Sequence, residues 1–187
     1  MISGLCLRQV DIKVLIAYSS VCHIAPAIAR ALLLSVRGYY AFVLIILAHG
    51  LVSPGIFILS YFVYERRHTR NILLISSLLS YTPILTAWWF VFCIANFGGP
   101  YTLNLVREIF VFLALGRKRI FLGGIMIFIS FVAAAYSLIL FRGISQGPTR
   151  FLFSFGVCQF RVKENILRFL LLSLTIIVVG ILPWFFF

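Results

Sequence analysis

Residues 83–115 read PILTAWWFVFCIANFGGPYTLNLVREIFVFLAL. The stretch is apolar on both flanks and interrupted in its middle by Asn96-Phe97-Gly98-Gly99-Pro100. Two glycines and a proline cannot simply continue a helix: glycine costs backbone entropy, and proline lacks a donor and clashes with the preceding turn. The piece that follows, Tyr101 to Leu115, is shorter than the roughly 20 residues that cross a 30 Å hydrocarbon layer. The economical reading is one discontinuous helix with halves at roughly 83–95 and 101–115, broken within 95–103. Unwound backbone at membrane depth persists only where protein or a wet cavity satisfies it, so such a break points to a transport site. The competing reading is two ordinary elements joined by a turn, with 72–95 spanning alone.

Outward from this stretch the pattern repeats. Further apolar runs extend roughly over Val14–Leu34, Tyr40–Tyr64, Ile120–Phe141 and Ile166–Phe187. The chain has 187 residues, of which 63% are hydrophobic and only 11% charged. Its mean hydropathy is +1.14. A soluble chain of this composition would expose large apolar patches and aggregate. The expected fold is therefore all-α: a polytopic membrane protein of about five transmembrane units, one of them discontinuous, forming a single membrane domain over 1–187.

The net charge of +12 does not indicate nucleic acid. The basic residues lie between apolar spans and read as topology signals. Arg8, Lys13, Arg66, Arg67, Arg70, Arg142, Arg150, Arg161, Lys163 and Arg168 fall on one side. Arg37, Arg117, Lys118 and Arg119 fall on the other. The first, larger set is expected to face the negative compartment. Cys6, Cys22, Cys93 and Cys158 show no CxxC spacing, which indicates neither a zinc site nor a disulfide framework. No glycine-rich nucleotide loop follows a strand pattern.

Ionisable residues inside apolar spans are functional candidates by default. Lys13, Ser20 and His23 recur at spacings that bring them toward one helix face, where they could form a chain of proton donors and acceptors. For Lys13 the residues alone favour a snorkelling lysine at the membrane interface. His49 falls near mid-depth of its span, either as a titrating group or as a packing hydrogen bond. Gly50, Pro54 and Gly55 are expected to loosen the helix just after it. Glu108 lies in the second half of the broken helix, where a carboxylate must be neutral, paired or wetted. Its neighbour Arg107 either pairs with it or snorkels away. His68 sits in the polar run 65–70 and reads as a loop residue.

The stretch LRQVDIKVLIAYSSVCH, residues 7–23, resembles the LRQxDLKxLIAYSSxxHM segment of the mitochondrial NADH dehydrogenase subunit 4 family, the antiporter-like subunits of respiratory complex I. Ala48-His49-Gly50-Leu51 resembles its AHGL motif, and Tyr64-Glu65-Arg66 with Thr69-Arg70 its YERxHTR loop. Asn104-Leu105-Val106 with Glu108 resembles NLxGE, and Tyr136-Ser137-Leu138 resembles ALYSLYM. Arg107, Pro26 and Arg30 depart from the family pattern. The resemblance implies the second half of an antiporter-like fold, with the first inverted repeat absent. It also implies a proton relay carried by Lys13, His23, His49 and Glu108.

By the same resemblance the chain would belong to the proton-translocating NADH:ubiquinone reductase, without a redox centre of its own. NADH, flavin, iron–sulfur clusters and ubiquinone are then expected in other subunits. The expected partners are other complex I membrane subunits, a companion chain carrying the N-terminal helices, and the lipid bilayer, with no nucleic acid. The expected location is the inner mitochondrial membrane, crossed several times. The rival functions are a subunit of a cation/proton antiporter and a structural membrane protein whose histidines and glutamate only pack helices.

Overall fold

A computed structural model describes residues 2–31, 36–75, 77–99, 102–106, 108–109 and 120–147. The described residues include the helices α1 (Ile2–Cys6), α2 (Ile12–Ala31), α3 (Val36–Arg67), α4 (Ile72–Ile75), α5 (Leu78–Tyr81), α6 (Pro83–Phe97) and α7 (Ile120–Ser145). Among the described residues there is no strand beyond one isolated bridge between Asp11 and Asn71.

That bridge ties two helix starts together. Ile12 N–H donates to the Arg70 carbonyl at 3.0 Å, and Ile72 N–H donates to the Val10 carbonyl at 2.9 Å. Each bridging residue also caps its own helix. Asp11 Oδ1 accepts from Lys13 N–H at 3.2 Å, and Asn71 Oδ1 accepts from Leu73 N–H at 2.9 Å. Short polar side chains suit this position because they satisfy first-turn donors that have no intrahelical partner. The polar runs around 8–11 and 65–71 thus form one joined end of the molecule.

α3 packs against both α2 and α6, while α7 packs on α6 and α4. The shared core contains Leu15 and Ile16 from α2, Val52, Ile56 and Leu59 from α3, Trp89 and Phe92 from α6, and Tyr136 and Leu140 from α7. Outward faces are equally apolar: Phe131 is 70% exposed and Ile46 53%. A helix hydrophobic all round belongs in a core or in lipid. Two helical stretches, Phe42–Arg67 and Gly123–Ser145, are long and apolar enough to cross a membrane. The pair 72–80 and 83–97 is bent by 116° and passes the same test as one broken span. The apolar part of α2, Ile12–Ala25, is shorter. The span expected over Ile166–Phe187 and most of the half-helix 101–115 lie outside the described residues, as does Arg107.

The break expected within 95–103 is present. α6 ends at Phe97, and Gly98 adopts the left-handed conformation with φ 82°. Gly98 N–H and Gly99 N–H both turn back to the Ile94 carbonyl, the latter at 2.9 Å. A new turn starts at Thr102, whose hydroxyl donates to the Gly99 carbonyl at 2.7 Å. The region before α6 is more broken than the alternative of a single 72–95 span requires. Ser77 has φ 74°, and Pro83 opens α6 with Thr82 ahead of it. Proline fits the first turn of a helix but disfavours helix before it, which separates α5 from α6.

α3 differs from expectation in the other direction. It runs unbroken through Gly50, Pro54 and Gly55. Gly55 serves close approach rather than loosening: a Cβ there would overlap the ring of Phe92 on α6. Phe92 is 2% exposed, so its ring has little room to yield. Gly55→Ala is expected to cost about 1–3 kcal/mol, the usual penalty for overpacking a core. The check is the thermal unfolding midpoint of the purified protein; an unchanged midpoint would contradict the tight α3–α6 contact.

Candidate functional site: a facing histidine pair beside a broken helix

Three helices meet around His23. It lies on α2, 6% exposed, among the most buried polar side chains described. His49 on α3 faces it, with ring centroids 6.4 Å apart and planes inclined by 53°. From α7, the Tyr136 hydroxyl lies 3.2 Å from His23 Nε2. The sequence supplies this geometry through helical spacing. Ala48, Val52 and Ile56 bury one face of α3, and Val132, Tyr136 and Leu140 bury one face of α7 at intervals of one turn. An imidazole pair of this kind, with His23 buried and His49 half-buried, has the donor and acceptor atoms that proton transfer needs.

The expected polar face of α2 divides. His23 points inward, but Ser20 spends its hydroxyl on the Ala17 carbonyl at 2.7 Å. Lys13 is half-buried, with Nζ 5.8 Å from the centroid of the Tyr64 ring on α3. Arg70 approaches the same ring, its Cζ 5.1 Å from the centroid. Lys13 therefore sits by the joined polar end, roughly 15 Å along the helix from His23 at 1.5 Å per residue. A cation over an aromatic face is held electrostatically while its head stays near the interface.

The second polar centre is the break itself. Asn104, 3% exposed, donates its side-chain amide to the carbonyls of Ala95 and Asn96. These are carbonyls that the end of α6 leaves without helical partners. The Asn104 side-chain oxygen is buried and meets no donor among the described residues, which suits a water at this point. Asn96 in turn donates to the Ser137 hydroxyl on α7 at 3.4 Å. Glu108 is half-buried, and its carboxyl group lies against Gly98. Together with Phe97, Ile127, Ser130 and Phe131 it lines an open cavity of about 570 Å³ between the break and α7. A carboxyl group at a mostly apolar, accessible cavity can hold or release a proton as water enters.

Sequence reasoning singled out His23, His49 and Glu108 but missed Tyr136 and Asn104 as parts of the site. The structure brings His23 and His49 together and places Glu108 at the other centre, beside the break. Among the described residues no cluster of histidine, cysteine or acidic side chains could hold a metal ion.

Facing imidazoles, a carboxyl group at a helix break, and long apolar helices define a class: polytopic helical membrane proteins of antiporter-like architecture. The chain belongs to the NADH:quinone oxidoreductase/Mrp antiporter family, whose transmembrane model matches residues 1–139. It is 37% identical to the NADH-ubiquinone oxidoreductase chain 4 of Lumbricus terrestris over 177 residues, covering 95% of this chain and 39% of that relative. It is 40% identical to the chain of the same name from Anopheles arabiensis, covering 79% of this chain and 66% of that one. The respiratory complex I of Thermus thermophilus with bound NADH contains a chain of the same fold, with a TM-score of 0.84 at 22% identity. That match covers 99% of this chain and 38% of the other. The chain thus spans about two fifths of the length of several of its relatives.

The amide of Asn104 carries a structural prediction. Asn104→Ala leaves two part-buried carbonyls without this donor, at a cost of about 1 kcal/mol or more. Faster deuterium exchange at the Gly98 and Gly99 amides is expected, with α3 unaffected. Exchange equal to that of the unaltered protein at those glycines would show that the break holds without it.

Proposed function

We propose that the chain is part of a subunit that moves protons across the inner mitochondrial membrane within NADH:ubiquinone oxidoreductase. The carrying observation is the His23–His49 pair, where α2, α3 and α7 meet, with 6.4 Å between ring centroids. The names and identities of the relatives support the same reading. On this reading NADH, flavin, iron–sulfur and ubiquinone chemistry belongs to other subunits. Its partners are the other membrane subunits of that complex, and a companion chain supplies the helices that correspond to the first inverted repeat.

The relay has three parts. Lys13, at the joined polar end, takes or repels a proton from the interface according to its own charge. His23 and His49 exchange the proton between their facing imidazoles. Glu108 exchanges it at the cavity beside the break. Redox energy released elsewhere acts by shifting the protein between states in which these groups differ in proton affinity; a transition without such a difference moves nothing. The apolar outward faces of α3 and α7 seal the path from the lipid side.

Two substitutions test this reading in the assembled complex. His49→Ala is expected to reduce proton pumping more than it reduces subunit assembly. Glu108→Gln, which keeps the side chain's shape but cannot ionise, is expected to lower proton transfer through this site by about a hundredfold, the lower end of the range for positioned acid–base groups. Normal pumping in both variants at normal subunit levels would favour helix packing as their role. Sodium-dependent proton exchange without NADH would favour the Mrp antiporter branch of the family.

A further inference from the structure

Tyr136 is a large side chain, only 1% exposed, in the middle of the apolar helix α7. Buried tyrosines direct their hydroxyl to a partner, because an unsatisfied polar group in such surroundings is costly. Here the hydroxyl meets His23 Nε2 at 3.2 Å, across a separation of 113 residues. The next residue, Ser137, is 2% exposed and accepts from Asn96 at the end of α6. Its own hydroxyl donates to the Ala133 carbonyl at 2.9 Å. Adjacent residues on a helix point about 100° apart. One turn of α7 therefore reaches the histidine pair with Tyr136 and the break with Ser137.

We propose that Tyr136 is the positioning residue of the proton relay, holding Nε2 of His23 so that the imidazole presents its other nitrogen toward His49. The proposal rests on the proton-relay reading above. An imidazole offers one donor and one acceptor when neutral, and the partner of one nitrogen decides what the other presents. Ring centroids 6.4 Å apart are too far for a direct hydrogen bond, so proton exchange between the two histidines would need a bridging water and a ring orientation that serves it. His23 lies on α2 and His49 on α3, so a hydroxyl anchored on α7 fixes the ring from a third direction. Ser137 gives the same turn of α7 a hold on the broken helix, so displacement of α7 would reach both polar centres together.

Tyr136→Phe removes the hydroxyl and keeps the ring that packs against the core, so the fold is retained. The measurement is protons translocated per NADH oxidised in vesicles of the assembled complex, with subunit level measured in parallel. It is made for Tyr136→Phe, His23→Ala and the double variant. The expected result for Tyr136→Phe is a loss of roughly fivefold at normal subunit level, the scale set by one hydrogen bond. The double variant should pump no less than His23→Ala alone, because a residue acting through His23 adds nothing once His23 is gone. Normal pumping by Tyr136→Phe, with pumping lost in His23→Ala, would overturn the positioning role and leave the relay standing. Additive losses in the double variant would also overturn it. Normal pumping by His23→Ala would instead overturn the relay reading, and this inference with it.

Discussion

A backbone carbonyl released from a helix inside an apolar environment must find another donor. Water is scarce at that depth, and an unsatisfied group costs several kcal/mol in hydrocarbon. The end of α6 meets this requirement locally: Gly98 and Gly99 fold their amides back to Ile94, while Asn104 covers Ala95 and Asn96. Because Asn104 comes from the segment after the break, satisfying the carbonyls also fixes where that segment begins. Glu108 follows one turn later and is placed beside Gly98 as a result. The position of the acidic group thus follows from hydrogen-bond accounting in the backbone.

The same economy organises the joined polar end. Asp11 and Asn71 each cap a helix and pair through the backbone around them, so the starts of α2 and α4 are set side by side. Lys13 and Arg70 then share the Tyr64 ring just beneath. Away from that end the helices are mostly apolar. Polar side chains gather around one turn of α7: Tyr136 meets His23, which faces His49, and Ser137 meets Asn96. A polar group in such a setting is worth keeping only if partnered, and each of these comes from a helix that packs against another in the set. α7 is the common wall, contributing Tyr136 to one centre and Ser137 to the other.

Much of this was legible in the sequence, for identifiable reasons. Gly98-Gly99-Pro100 announces a break because no helix tolerates that run. His23 and His49 stand out because ionisable residues are rare in apolar spans. Features that depend on distant packing were not legible. Tyr136 meets His23 across 113 residues, which no local pattern encodes. Asn104 reads as an ordinary polar residue until the carbonyls of α6 are seen to need it. Pro54 suggested a loosened α3, yet the helix continues, and the neighbouring Gly55 instead admits the Phe92 ring. The size of the bend between the 72–80 stretch and α6, 116°, was not legible, because Ser76, Ser77, Thr82 and Pro83 mark a weak point without setting an angle. Lys13 shares a helix with His23, but periodicity alone could not say that its ammonium group would settle over Tyr64.

The account turns on the histidine pair changing protonation during turnover, and infrared difference spectroscopy of the assembled complex reads that change directly. Spectra of the resting state and of the NADH-driven steady state would be compared with histidine carrying an isotope label in the imidazole ring. The account predicts label-sensitive ring bands in the difference spectrum that disappear in His23→Gln. A difference spectrum whose histidine bands are the same with and without His23 would contradict it.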